Sequence, residues 1–282
     1  MSAVVSNRAT ALAGISTALL SINGSHTAPA TRARCSKRRS VSRIERDRGD
    51  GYWKIDHRGA KGTQQLRALH LIDASGRSAW LSRRLGATRH SVDKLVGVVR
   101  WFEAEAHEPL TLIEAVEEGW WYSAPLPESG LVVAHLTDAA LSTSQGQPIP
   151  DRFAQRLDAA PFTRLRLARP GTVRHRLTCL AAPGFTTWDA SEPFLPVGDA
   201  LVSFDPIAGQ GLCFALRSAL EAATVIEEAR AGDPTAFDRY RRGARGVFDE
   251  HLRLRQRYYS IEPRWANAPF WRNRARVSDA EC

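Results

Sequence analysis

The stretch whose reading decides the fold runs from Phe194 to Ile226: FLPVGDALVSFDPIAGQGLCFALRSALEAATVI. The apolar run from Phe194 to Val197 predicts a short buried strand that stops at Gly198-Asp199. A loop containing Asp205-Pro206 leads to Gly209-Gln210-Gly211, where a helix is predicted to begin. Leu212, Ala215, Leu216, Ala219, Leu220, Ala223 and Ile226 recur at three- and four-residue spacing, which predicts one helix face buried against the core. A carboxylate at the end of a strand can accept hydrogen bonds from ligand hydroxyls. Glycines at a helix N-terminus let backbone amides and the positive end of the dipole come close to a ligand. Taken singly, Asp199 also reads as a turn cap, and Gly209 and Gly211 as turn formers.

At 282 residues the chain is long enough for one large or two modest domains, and its formal charge of +9 raises nucleic acid or an acidic partner as a possibility. The distribution of charge argues against nucleic acid. The run from Arg32 to Arg48 is dense in Lys and Arg but carries no aromatic residue to stack on a base, and the arginines between Arg239 and Arg257 mix with Asp249 and Glu250 as on a solvated face. No apolar run reaches the roughly 18 residues of a membrane-spanning helix, so no membrane partner is expected. Cys35, Cys179, Cys213 and Cys282 form no CxxC pair and no metal-ligand spacing with histidine. They read as reduced thiols of a cytoplasmic protein, with no metal site expected.

Residues 1–50 differ from the rest and read as a disordered or weakly helical leader, or as a targeting peptide built on Ala11 to Ile22. From Tyr52 the composition becomes globular. Tyr52–His57 and Leu66–Asp73 are predicted as a hairpin, followed by Ala74-Ser75-Gly76-Arg77-Ser78 and a helix through Trp80, Leu81 and Leu85 to Gly86. Leu95–Ala106, Leu110–Glu117 and Leu131–Thr137 are predicted strands of an antiparallel sheet, with the aromatic run Gly119-Trp120-Trp121-Tyr122 between the last two. Two helical segments, Asp151–Ala159 and Phe162–Ala168, precede a strand from Thr172 to Leu180 in which His175 is a candidate proton shuttle or, more simply, a surface residue. Ala181–Glu192 reads as a loop, and a long helix is expected from about Thr235 to Tyr259. The tail from Tyr258 through Trp265 to Phe270-Trp271 suits either a partner interface or a packed terminal segment.

The joined Gly198-Asp199 and Pro206-x-x-Gly209-x-Gly211 pattern resembles the second dinucleotide motif of FAD-dependent monooxygenases, the para-hydroxybenzoate hydroxylase-like superfamily that includes tryptophan halogenases. The resemblance implies FAD as cofactor, held by Gly76, Gly198, Asp199, Pro206, Gly209, Gln210, Gly211 and Leu212. It also implies an aromatic wall at Trp120 and Tyr122, where halogenases carry Trp-x-Trp-x-Ile-Pro and this chain has Trp120-x-Tyr122-x-Ala124-Pro125. With Asp73-Ala74-Ser75-Gly76-Arg77 and the Tyr-Tyr to Phe-Trp tail, residues 52–275 are most similar to the halogenase-like flavoproteins that mature quinone-cofactor amino-acid oxidases of the lysine oxidase or glycine oxidase type. Such an oxidase is the implied partner, and hydroxylation of one of its tryptophans the implied reaction.

The expected fold class is mixed α/β: an incomplete Rossmann-like FAD-binding part (51–94 with 190–232), a substrate-domain sheet (95–189) and a C-terminal helical segment (233–282). It is incomplete because the superfamily opens with a strand, a Gly-x-Gly-x-x-Gly turn and a helix, and residues 1–50 supply none. No catalytic base is identified, because the lysine that halogenases use lies in a region without a match. The alternative expectation is therefore a truncated flavoprotein remnant that binds a partner, or nothing, without flavin.

Overall fold

The computed structural model describes residues 40–59, 62–103, 110–126, 130–143, 149–167 and 172–275. Three strands, β1 (Ser40–Arg46), β2 (Trp53–Gly59) and β3 (Gly62–Ala68), form an antiparallel meander. The expected leader is thereby corrected: residues 40–46 pair along β2 from Ser40↔Arg58 to Arg46↔Trp53. Residues 1–39, with the apolar run at Ala11–Ile22 and Cys35, lie outside the described residues. The expected second arm of the hairpin, Leu66–Asp73, is two elements. The meander ends at Ala68, and β4 (Leu71–Asp73) belongs to another sheet.

After β4 come a 3-10 turn (Gly76–Ser78), α1 (Trp80–Arg84), β5 (Thr88–Ser91) and β6 (Leu95–Glu103). There follow β7 (Leu112–Val116), β8 (Gly119–Leu126), β9 (Gly130–Asp138), α2 (Ala139–Thr143), α3 (Ile149–Leu157), α4 (Pro161–Arg166) and β10 (Val173–Leu180). The large antiparallel sheet runs β10-β6-β9-β8-β7, so β6 and β7 are consecutive in sequence but not neighbours. Period-two alternation sends Trp121 and His135 to one face, under α3 and α4 with Phe153 and Leu167. Trp120 and Leu136 go to the other face, packed on Tyr259, Phe270 and Trp271.

The segment expected as the loop Ala181–Glu192 contains a strand, β11 (Gly184–Thr187), held between β5 and β13 (Val202–Ser203). Its polar Thr186-Thr187 hides the strand in sequence; Thr186 is buried because its hydroxyl donates to the Ala200 carbonyl. β12 (Phe194–Pro196) pairs in parallel with β4, joining segments more than a hundred residues apart. α5 (Gly211–Arg230), α6 (Ala236–Ser260) and α7 (Pro269–Ala275) complete the chain. Tyr259, Phe270 and Trp271 are buried, so these residues of the aromatic tail are packed core.

The buried face of α5 shares only Ile226 with the one its spacing predicts. Phe214, Ser218, Ala222, Val225 and Ile226 face the core, whereas Leu212, Leu216 and Leu220 are 65%, 64% and 72% exposed. The helix is apolar on two opposite sides, and periodicity cannot rank them; the side bearing Phe214 packs on Phe204 with ring centroids 5.0 Å apart. β4 is bonded to β12 alone, so the alternate backbone groups, those of Ile72, point to an edge with no ladder partner among the described residues.

Gly119, opening β8, has φ 151°, and a Cβ there would sit 2.1 Å from the Leu136 carbonyl oxygen. Gly119→Ala is expected to destabilise the fold by about 3 kcal/mol or more, read as a fall in urea midpoint, because neither backbone can yield without breaking the β8–β9 ladder.

Candidate functional site

The site grows from the end of the parallel pair. At the C-terminal end of β12 the chain enters a 3-10 turn, Gly198–Ala200, and α5 passes so close that a Cβ at Gly198 would lie 3.1 Å from the Ala215 Cβ. Glycine is what allows that approach. The Gly198 amide donates to Ser218 Oγ at 2.9 Å, which ties the turn to the helix. Asp199 is thereby placed beside the start of α5: a Cβ at Gly211 would be 3.9 Å from its Oδ1. Arg77, in the turn that also holds Gly76 (φ 70°), reaches across to Asp199 at 3.2 Å and donates to the carbonyls of Ala182 (2.7 Å) and Phe204 (2.8 Å). Asp199 and Arg77 are about one-third exposed, at 34% and 29%, so the pair faces open space.

Arg89 clamps the same loop from β5, donating to Thr186 Oγ1, the Leu201 carbonyl and Ser203 Oγ. Burial, with the neighbouring Arg77, lowers its guanidinium to about 10. Pro206–Ala208 form a third 3-10 turn, closed by Gly209 in the left-handed region (φ 63°). Gln210 is the N-cap of α5 but makes no side-chain cap, leaving the first-turn amides without an intrahelical or side-chain acceptor among the described residues. Of the residues expected to hold the cofactor, Asp199 thus lies beside Gly211 and, through Arg77, next to the turn of Gly76; Gly198 is buried under α5, while Pro206, Gly209, Gln210 and Leu212 are exposed.

What fixes the Pro206–Gly209 turn is a buried carboxylate. Asp205 is 0% exposed; its Oδ2 accepts from Arg255 Nε (2.8 Å) and the Tyr259 hydroxyl (3.0 Å), and its Oδ1 accepts from the Ile207 amide (3.1 Å). Arg255 also pairs with Asp93, which pairs with Arg274, which pairs with Asp138. Trp120 enters the same network by donating its indole N–H to the Tyr259 hydroxyl at 3.0 Å. Trp120 is 2% exposed and so supports the loop from behind, while Tyr122 is half-buried on the same sheet face. His175 is exposed on β10, away from this cluster. No group of three or more metal-ligating side chains occurs among the described residues, nor any helix long and apolar enough to cross a membrane.

His251 accepts the Asp205 amide at Nε2 (3.0 Å), which requires the neutral ring. Burial is the main cause that lowers it to about 4, reinforced by Arg255 and Arg77 and opposed by Asp205. A histidine held below its ordinary value destabilises the fold as acid is added. Its contribution is complete above about pH 6.5 and is lost between there and about pH 4, about 2–3 kcal/mol at pH 4.5. Thermal melts at pH 7.5 and 4.5 should show this loss, with a shallower dependence in His251→Gln. Asp205→Asn, which leaves Arg255 short of a counter-charge, should cost about 3 kcal/mol at neutral pH by chemical denaturation.

No family model matches the chain. It is 28% identical over 232 residues to LodB of Marinomonas mediterranea, which carries the description FAD-dependent oxidoreductase; the match covers 81% of this chain and 62% of that one. It is 24% identical to a tryptophan 2-halogenase of Chondromyces crocatus, covering 82% of this chain and 47% of that one. The chain therefore spans about half to three-fifths of the length of these relatives. Among solved structures, the flavin-dependent halogenase CmlS superposes with a TM-score of 0.74 at 19% identity, covering 86% of this chain and 46% of that one. The peptidyl tryptophan dihydroxylase QhpG, essential for tryptophylquinone cofactor biogenesis, superposes with a TM-score of 0.65 at 26% identity, covering 86% and 55%. The chain thus has the flavin-dependent halogenase fold, and its relatives are FAD-dependent oxidoreductases and halogenases.

Proposed function

We propose that this chain is an FAD-dependent, halogenase-like oxidoreductase of the monooxygenase type, and that it hydroxylates a tryptophan of a partner oxidase during formation of a quinone cofactor. The observation that carries the proposal is the Asp199 carboxylate, held by Arg77 beside the uncapped N-terminus of α5. FAD fits this arrangement at one end. Asp199 would accept from ribityl hydroxyls, and the amides of Gly209 to Gly211 would face the electron-rich edge of the ring. Bound FAD would supply the redox chemistry and the activation of dioxygen. Asp205, Arg255 and Tyr259 keep the Pro206–Gly209 turn in place against the sheet, and the sheet face bearing Tyr122 shields that side from water. The tryptophan substrate and the setting of quinone-cofactor formation are supported by the likeness to QhpG, a peptidyl tryptophan dihydroxylase essential for tryptophylquinone cofactor biogenesis.

A second reading, the incomplete flavoprotein that binds a partner chain and no flavin, is favoured by the exposed Leu212, Leu216 and Leu220 and the open edge of β4. A glycine-rich turn for the pyrophosphate is not found among the described residues. Titration of the purified chain with FAD, followed by flavin fluorescence, separates the two. Saturable quenching at one flavin per chain, weakened about tenfold or more in Asp199→Ala and less in Arg77→Gln, is the expected result. Absence of quenching at any FAD concentration would establish the second reading.

A further inference from the structure

The face of the large sheet turned toward the Pro206–Gly209 turn is covered over part of its length. Strand register sets what it bears: Gly97, Val99 and Trp101 of β6 stand opposite Leu136, Ala134 and Val132 of β9. In the same three rows β8 adds Trp120, Tyr122 and Ala124, and β10 adds Cys179, Leu177 and His175. The first row is core: Leu136 and Trp120 are buried beneath Tyr259, Phe270 and Trp271. In the second row Val99, Tyr122 and Leu177 are half-buried. In the third, Trp101, Val132 and Ala124 are half-buried and His175 is exposed, and none of the four is packed into a core cluster.

The covered end adjoins the candidate cofactor site. Arg77 donates to the Ala182 carbonyl just beyond β10, and burial raises the Cys179 thiol against the opposing charge of Arg77. The same arginine holds Asp199. Four residues of strand, about 13 Å, separate this end from the third row. There Trp101 and His175 meet edge to face, with ring centroids 6.3 Å apart and an interplanar angle of 82°. Between Trp101 and Tyr122 the floor is low, because Ala124, Ala134 and Val132 occupy it. Beyond Trp101, Glu103 and Arg174 neutralise each other at 2.9 Å, so no unbalanced charge closes the strip.

The rows repeat every two residues, about 7 Å, which is also the repeat of side chains along one face of an extended polypeptide. A single indole would occupy one row and leave Trp101 without a contact. We propose that this strip is the track on which an extended polypeptide substrate lies. Its reacting tryptophan stands in the row of Val99 and Tyr122, directed toward Arg77, and the side chain two residues away rests on Trp101. Trp101 and His175 then set the preference for a peptide over a free amino acid, an assignment that rests on the proposed tryptophan hydroxylation.

Calorimetric titration of the wild-type chain with acetyl-Ser-Gly-Phe-Gly-Trp-Gly-Phe-Gly-Ser-amide and with N-acetyltryptophanamide tests the track. A phenylalanine two residues to either side of the tryptophan lets the peptide bind in either chain direction. The peptide should bind about fivefold or more tightly than the amide, as one aromatic contact on Trp101 contributes. Replacing both phenylalanines by serine should abolish that advantage. Trp101→Ala should bring peptide and amide to equal affinity, and His175→Ala should reduce the advantage in part. Equal binding of the two ligands to the wild-type chain, binding of neither, or an advantage unchanged in folded Trp101→Ala would each overturn the track. FAD titration of the same wild-type chain reads the underlying function separately. Flavin bound without a preference for the peptide overturns the track alone, whereas a peptide preference in a chain that binds no FAD overturns the proposed reaction. The comparison of ligands on the wild-type chain stands even if a variant does not melt cooperatively.

Discussion

A single carboxylate removed from solvent, that of Asp205, joins parts of the chain that are far apart in sequence. Through it the turn before α5 is bonded to α6, and through Tyr259 and Trp120 to the large sheet. Burying an ion pair recovers its desolvation cost only when the remaining lone pairs are used, and here the two carboxylate oxygens accept from Arg255, Tyr259 and the Ile207 amide. The alternating line of Asp205, Arg255, Asp93, Arg274 and Asp138 gives each internal charge a neighbour of opposite sign on both sides. Its role is geometric: hydrophobic packing would hold these elements together, but it would not fix the height and tilt of the Pro206–Gly209 turn.

That fixed turn matters because the surface beside it is built from backbone. Gly209 in the left-handed region, the uncapped start of α5 and the Asp199–Arg77 pair are effective only if they keep their mutual positions. Arg77 and Arg89 contribute by tying the 182–204 segment down through carbonyl and hydroxyl oxygens. The site is preorganised by Arg77, itself one of its members, and by Arg89 behind it.

The parts legible in sequence were those with local signals. Gly198-Asp199 ends an apolar run, and the continuous apolar run from Leu131 reads as a buried strand, as β9 is. Arg77 stood within a legible motif, yet nothing local gave it Asp199 as a partner 122 residues on. Asp205 stood next to a proline and read as a turn residue; its bond to Arg255, 50 residues later, exists only once α6 is docked. β1 was hidden in a basic run whose charged residues lie on the exposed side of a meander that packs Val41 and Ile44 inward, and β11 by its threonines. The two-sided apolarity of α5 misled because periodicity reports which faces are apolar and not which of them the rest of the described fold covers.

The exposed leucine row on α5 and the edge of β4 left unpaired among the described residues carry a consequence for the life of the chain in a cell. A folded protein that shows such a surface offers holdase chaperones the features by which they grip unfinished polypeptides, and offers proteases a reason to follow. Its abundance would then be governed by how soon that flank is covered, and the margin of its folding equilibrium would matter less. Surveillance would keep the chain scarce until it is covered and let it accumulate afterwards, so that supply of the covering surface would meter the activity without any change at Asp199 or Gly209.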